Sequence, residues 1–225
     1  MSLRPVRLFY PQRGSVRAVA PALEPVTAAE LRTHLVETVE GLSDTAAEAL
    51  ISAAREEIEE VTGIAMITQE WRLALDAWPG NPEPWWSGTR QGAISELRGA
   101  PATLAIPVYP LQGIDAVTVF NEAGASSAVT VATVFDVDTY QRPGRLSLKA
   151  GQTWPIALRD TNAIQIEYTA GFGDAASDVP APLKRAVLQM AAYLYEHRGD
   201  GCTPGNAFHA SGAADMAKWY QVARI

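Results

Sequence analysis

The densest group of ionisable side chains in this sequence is Glu56, Glu57, Glu59 and Glu60, with Asp76 a little further on. Two carboxylates held a few ångströms apart can share acid and base roles, as in glycoside hydrolysis, which makes Glu56 with Glu60 or Glu59 with Asp76 the first pairs to consider. Glutamates this dense on a helical pattern are better accounted for as a solvated face. The three histidines, His34, His197 and His209, stand far apart without metal-ligand spacing, and surface or capping roles account for them. There is no G-x-S-x-G, no phosphate-binding loop and no H-E-x-x-H. Gly171-Phe172-Gly173 follows a strand-like run but lacks the rest of a dinucleotide fingerprint and the helix behind it. Arg198-Gly199-Asp200 falls where a helix should end, and a chance tripeptide at that end explains it. The expectation is a chain with no catalytic residues, no metal and no cofactor.

Aromatic residues offer a second kind of chemistry. Trp85 and Trp86 sit in a stretch rich in proline and glycine, Pro79 to Pro101, and with Trp154 they could stack on a sugar ring or a base, or dock on a partner. A carbohydrate-binding β-domain is therefore the competing functional class. The plainer account is that these rings cover the fold's own core or a sheet edge, because aromatic side chains bury large areas.

The elements that must position these residues are legible as periods. Ala47, Leu50, Ile51, Ala54, Ile58 and Val61 form one apolar stripe at helical spacing, entered through Asp44 with a Thr45–Glu48 capping box and ended by Gly63. A shorter helix with a Thr27–Glu30 capping box runs before it to about Val39. Beyond Gly63, Ile67, Trp71, Leu73 and Leu75 alternate with polar residues, the period of a half-buried strand over Met66 to Asp76. Short strands follow at Thr103 to Ile106, Ile114 to Phe120, Ser127 to Val131, Val134 to Val137, Arg145 to Leu148 and Ala163 to Ala170. Pro180 and Pro182 then open another helix with Leu183, Ala186, Val187, Met190, Ala191 and Leu194 on one face. Pairing Leu50, Ile51 and Ile58 with Val187, Met190 and Leu194 contributes about 1.5–3 kcal/mol per large side chain.

These periods predict an α+β fold: a small helical bundle interrupted by a mainly antiparallel β-sandwich or barrel-like region. The expected parts are an extended arm over 1–25, a helical body from 26–63 and 178–199, an inserted β-domain over 64–177, and a tail over 200–225. The tail is loop-like to Gly212 and then helical, with Met216, Trp219, Tyr220 and Val222.

Composition narrows the function. With 225 residues and 48% hydrophobic content, the chain can bury a real core. A net charge of −7 repels phosphate backbone on average and disfavours adhesive nucleic-acid binding. The single cysteine, Cys202, cannot form an intrachain disulfide and suits a reducing compartment. No secretory signal or membrane span is readable.

Several stretches carry a family resemblance. Glu24-Pro25-Val26-Thr27, Leu50-Ile51-Ser52-Ala53-Ala54-Arg55-Glu56-Glu57-Ile58-Glu59, Thr62-Gly63 and Ile67-Thr68-Gln69-Glu70-Trp71 are similar to head-tail connector, or adaptor, proteins of long-tailed double-stranded DNA phages and gene transfer agents. Tyr168-Thr169-Ala170-Gly171-Phe172-Gly173 and Val179-Pro180-Ala181-Pro182-Leu183-Lys184 extend the resemblance, which spans about residues 24 to 199. The resemblance implies a subunit that is a monomer in isolation or a member of a ring, usually of twelve copies in the particle. That ring is seated on a portal protein, meets a stopper or tail-terminator protein on its other face, and lets DNA pass without sequence-specific binding. It also implies assembly in the bacterial cytoplasm and a final place in the particle's neck. On that reading Glu56, Glu57 and Glu60 face solvent or the channel, and Trp219, Tyr220, Val222 and Arg224 grip the portal.

Overall fold

The computed structural model describes residues 13–35, 42–78, 103–154, 158–198 and 206–221. The Trp85-Trp86 stretch, the far end of the first predicted helix, Gly199, Cys202, Val222 and Arg224 lie outside the described residues.

The chain enters as strand β1 (Arg13–Val19) rather than as an unpaired arm, and runs into helix α1 (Ala28–His34). Thr27 caps α1 as its sequence predicts. Its hydroxyl accepts from the Glu30 N–H at 3.2 Å, and the Glu30 carboxylate accepts from the Thr27 N–H at 2.7 Å. That backbone bond holds the Glu30 carboxyl below its ordinary range. Helix α2 (Asp44–Thr62) is capped by Ser43, whose hydroxyl accepts from the Ala46 N–H, so the expected Thr45–Glu48 box is displaced into the first turn. Gly63 ends α2 at φ 72°, the left-handed conformation a glycine adopts without strain.

The strands form two sheets. Strand β2 (Gln69–Leu75) is followed by β3 (Thr103–Ile106), β4 (Leu111–Phe120), β5 (Ser126–Val129), a single turn α3 (Val131–Val134), β6 (Phe135–Asp138), β7 (Gly144–Leu148) and β8 (Ile164–Ala170). A five-stranded antiparallel sheet has the order β1-β2-β8-β4-β5, and a three-stranded one the order β3-β7-β6. Their facing sides share one core of Leu73, Leu75, Leu104, Ile106, Phe135, Leu146, Ile166 and Tyr168. The β-region is thus two packed sheets, not a closed barrel.

The chain closes with α4 (Ala181–Glu196), α5 (Asn206–Ala210), α6 (Ala213–Ala217) and a 3-10 turn over Lys218–Tyr220. Ile51, Ile58, Val187 and Met190 share a second core, with Leu50 and Leu194 half-buried at its margin. Ala207, Phe208, Ala213 and Ala217 are buried in the same core. The stretch expected as a loop and tail is therefore structural from Asn206 to Tyr220: Phe208 supplies the anchor, and small alanines let α6 lie close against α4.

Candidate partner-docking surface

Three chain segments cross where the two cores meet. Gly63 to Thr68 leaves α2, Tyr109 and Pro110 lead into β4, and Gly171 to Gly173 leaves β8. Backbone bonds join them: Ala65 N–H to Tyr109 O at 2.8 Å, Tyr109 N–H to Gly63 O at 3.1 Å, Thr68 N–H to Gly173 O at 3.0 Å, and Gly171 N–H to Pro110 O at 2.9 Å. Gly171 sits at φ 145°, and a Cβ there would lie 2.6 Å from Thr68 backbone atoms. The glycine in the Tyr168 to Gly173 stretch thus serves close backbone approach, and no phosphate cradle is needed to explain it.

This crossing carries a line of half-buried aromatic rings. Tyr109 meets Phe172 edge-on at 6.2 Å between centroids, and Phe172 meets Tyr220 edge-on at 6.2 Å. The Arg142 guanidinium stacks over Tyr109 at 4.6 Å. Tyr220 is thereby tied to its own fold, whereas neighbouring Trp219 is 79% exposed, with only the Lys218 ammonium 5.6 Å above its ring. Sequence reasoning paired Trp219 and Tyr220 as one contact; the structure separates them into an anchor and an open ring.

Behind the crossing lies a polar clamp that sequence reasoning did not find. Arg55, 2% exposed, donates through Nε and Nη2 to Glu24 at 2.7 and 3.2 Å and through Nη1 to Glu59 at 2.8 Å. Glu59, 6% exposed, also accepts from the Met66 N–H at 2.7 Å and the Gln69 amide at 2.8 Å. Arg17 of β1 pairs with Glu56 and comes within 3.9 Å of Glu59. Burial pushes the Glu59 carboxyl up, against the pull of Arg55 and the Met66 N–H. The Arg17 hydrogen bond pulls Glu56 down. A signal existed: Arg55 and Glu59 fall in the row Ile51–Arg55–Glu59–Thr62 at helical spacing, so the buried stripe is wider than its apolar members.

The acidic set is accordingly divided. Glu56 is exposed but engaged by Arg17, and Glu60 is exposed. Glu57 is half-buried with a shielded Oε1, so the three do not form one open acidic face. The members of the imagined acid–base pairs have other partners: Glu59 is committed to the clamp, Asp76 accepts from the Asn162 N–H at 2.7 Å, and Glu56, one helical turn from Glu60, is paired with Arg17. His34 borders a shallow hollow with Glu30 and Leu188, His197 stacks on Tyr193, and His209 is exposed beside Phe208. Among the described residues no cluster of histidine, cysteine or acidic side chains could hold a metal ion, and no helix is long and apolar enough to cross a membrane. Trp154 stacks on Trp78 at 4.4 Å and lies 5.6 Å from Phe135, so its ring is largely spent on its own core rather than offered to a sugar.

The chain is similar over most of its length to chains in three solved particle structures. One is from the neck of an empty GTA particle computed with C6 symmetry, at 26% identity and TM-score 0.68, covering 95% of this chain and 97% of that one. Another is from the neck of a native GTA particle computed with C12 symmetry, at 25% identity and TM-score 0.67, with the same coverage. A third, from the virion of a native gene transfer agent particle, shares the fold at 24% identity and TM-score 0.69, covering 94% and 96%. No family model and no curated protein matches the chain.

Proposed function

We propose that this chain is a head-tail adaptor, a structural part of the neck of a tailed phage or gene transfer agent particle. Copies of it form a ring between the portal and the stopper or tail terminator, and DNA passes through the centre. The observation that carries this reading is the two-way coverage, 95% of this chain and 97% of the neck chain, at 26% identity. The symmetry of those necks supports a ring, and a net charge of −7 suits a channel that DNA slides past. A structural role also fits a molecule whose polar side chains are committed to caps and clamps. Subunits gather in the bacterial cytoplasm and end in the particle's neck.

On this reading the portal-facing contact is Trp219, held in place by Tyr220, with Val222 and Arg224 continuing it. Removing everything after Gly199 would strip Phe208 and Ala217 from the helical core, so truncation is the wrong test. The right one is electron microscopy of the purified protein mixed with portal rings, comparing wild type with Trp219→Ala. Wild type should form rings on the portal, and Trp219→Ala should lose at least about tenfold in association without a change in thermal midpoint, as expected of a central aromatic anchor. A wild-type chain that stays monomeric and never binds portal overturns the adaptor reading, and an undiminished Trp219→Ala variant overturns the contact.

A further inference from the structure

Strand β1 is seated on its own sheet in an unusual way. Directly paired residues of antiparallel strands point to the same side, so Ser15 and Arg17 share the inner side with Leu73 and Trp71, while Val16 shares the outer side with Arg72. The pattern is the reverse of a half-buried strand: the polar residues face inward and the valines face out. Val16 is 66% exposed, Val19 48% and Leu23 40%, three of the five large apolar side chains left exposed among the described residues. No described side chain of β1 is buried. Its hold consists of the backbone ladder to β2, a 3.1 Å bond between the Ser15 and Tyr168 hydroxyls, and the Arg17 pair with Glu56, with Glu59 3.9 Å from the same guanidinium.

The chain just after β1 is held quite differently. Glu24 is locked by Arg55, and Pro25 and Val26 are buried. A fixed point at Glu24 thus follows a strand fastened only by polar contacts, with Pro21 between them favouring an extended path. Only Ala20 to Leu23 link the paired strand to that fixed point, about 17 Å from Val19 to Glu24 when extended, so an exchange would join closely apposed copies.

We propose that the β2 edge is a strand-acceptor site for a second copy of this chain: β1 of one copy leaves its own sheet at Pro21 and pairs in the same register with β2 of the next. The acceptor is fully built, since the ladder, the Tyr168 hydroxyl and Glu56 are the groups that already seat β1. Exchange replaces each contact with an identical one between copies and so costs little, as in domain swapping generally. The crossing also lays Leu23, which a lone copy leaves 40% exposed, against the neighbour. The inference rests on the ring reading only for where the exchange takes place.

The test uses two single-cysteine forms of the full chain, Val16→Cys and Arg72→Cys, each also carrying Cys202→Ser. These positions are direct register partners, within disulfide reach in a seated strand. A chain bearing both substitutions should close an intrachain disulfide, which establishes that the variants fold and seat β1. The two single forms are unfolded together in urea, refolded by dilution at high concentration and oxidised. A covalent heterodimer joined between positions 16 and 72, several-fold above the dimer from either form alone, is the expected result. Heterodimer no higher than those single-form controls overturns the proposal. Rings on the portal without the heterodimer would sink strand exchange alone, and the heterodimer without rings would sink the adaptor reading alone.

Discussion

The α2–α4 helix pair and the β1–β2 strand pair are both held tightly on paper, yet by opposite means. Ile51, Ile58, Val187 and Met190 are each no more than 1% exposed, so the helices are fixed by apolar area and close packing. β1 contributes backbone bonds and an ion pair to a sheet edge and buries no described side chain. The first kind of contact exists only inside a folded subunit, whereas the second can be made equally well with another copy. A molecule can therefore keep one body rigid and leave one strand free to change partners. The contrast breaks most visibly with Ile58→Ala, which should cost about 4 kcal/mol by urea denaturation, against less than about 0.5 kcal/mol for Val16→Ala. Similar costs for the two would mean that β1 is packed like the core.

The crossing between the cores is the second place to press. Gly171→Ala would force a Cβ into Thr68 backbone atoms at 2.6 Å, where no flexible side chain can give way. The expected loss is about 3 kcal/mol of stability, measured by thermal and urea unfolding, from overpacking added to an unfavourable φ. Gly14→Ala, whose Cβ meets nothing within 4 Å, is the matched control on β1 and should be nearly silent. A mild Gly171→Ala would show that the crossing is plastic.

Much of this is legible in the sequence, and the exceptions have physical causes. Apolar periodicity locates α2, α4 and strands such as β2, β3 and β8 because each buries one regular face, and the Thr27–Glu30 and Gly63 signals act within a few residues. β1 does not read as a strand because its pattern is inverted: alternation reports burial, and this strand buries little. Glu59 was read as part of a solvated face because its burial depends on Arg55, Met66 and Gln69, partners a helical wheel cannot supply. Asn206 to Ala210 read as loop because five residues carry no period, and Phe208 alone holds them down. The division of labour between Tyr220 and Trp219 was likewise invisible, since it is set by Phe172, far away in sequence.

Acid should loosen β1 before the helix pair, and the sign can be worked out from the clamp. Arg17 holds the Glu56 carboxyl below its ordinary value of 4.5, so the stabilisation from this pair is fully present above that value and is lost as pH falls through the lowered one. Glu59 acts in the opposite sense: burial raises its carboxyl, so the folded state takes up that proton first and gains relative stability as pH falls toward 4.5. Arg55 and Glu24 face the same cluster and keep the fixed point in place, with Arg55 held charged because its carboxylate partners offset the cost of burial. Acidification therefore leaves α2 seated while it removes Glu56, the hydrogen-bonded of the two carboxylates that face Arg17. Hydrogen-exchange protection factors for the β1–β2 ladder should be level from pH 7 to about 5 and fall below about pH 4. Those of α2 and α4 should hold over the same range. In Glu56→Gln the strand should begin less protected and lose its acid dependence. The effect is small because the pair is partly exposed and screened by salt, which should mimic acid at neutral pH. Protection of β1 that stays level through pH 3.5, or that falls equally in Glu56→Gln, would remove Arg17 and Glu56 from the strand's hold and leave the backbone ladder alone to explain it.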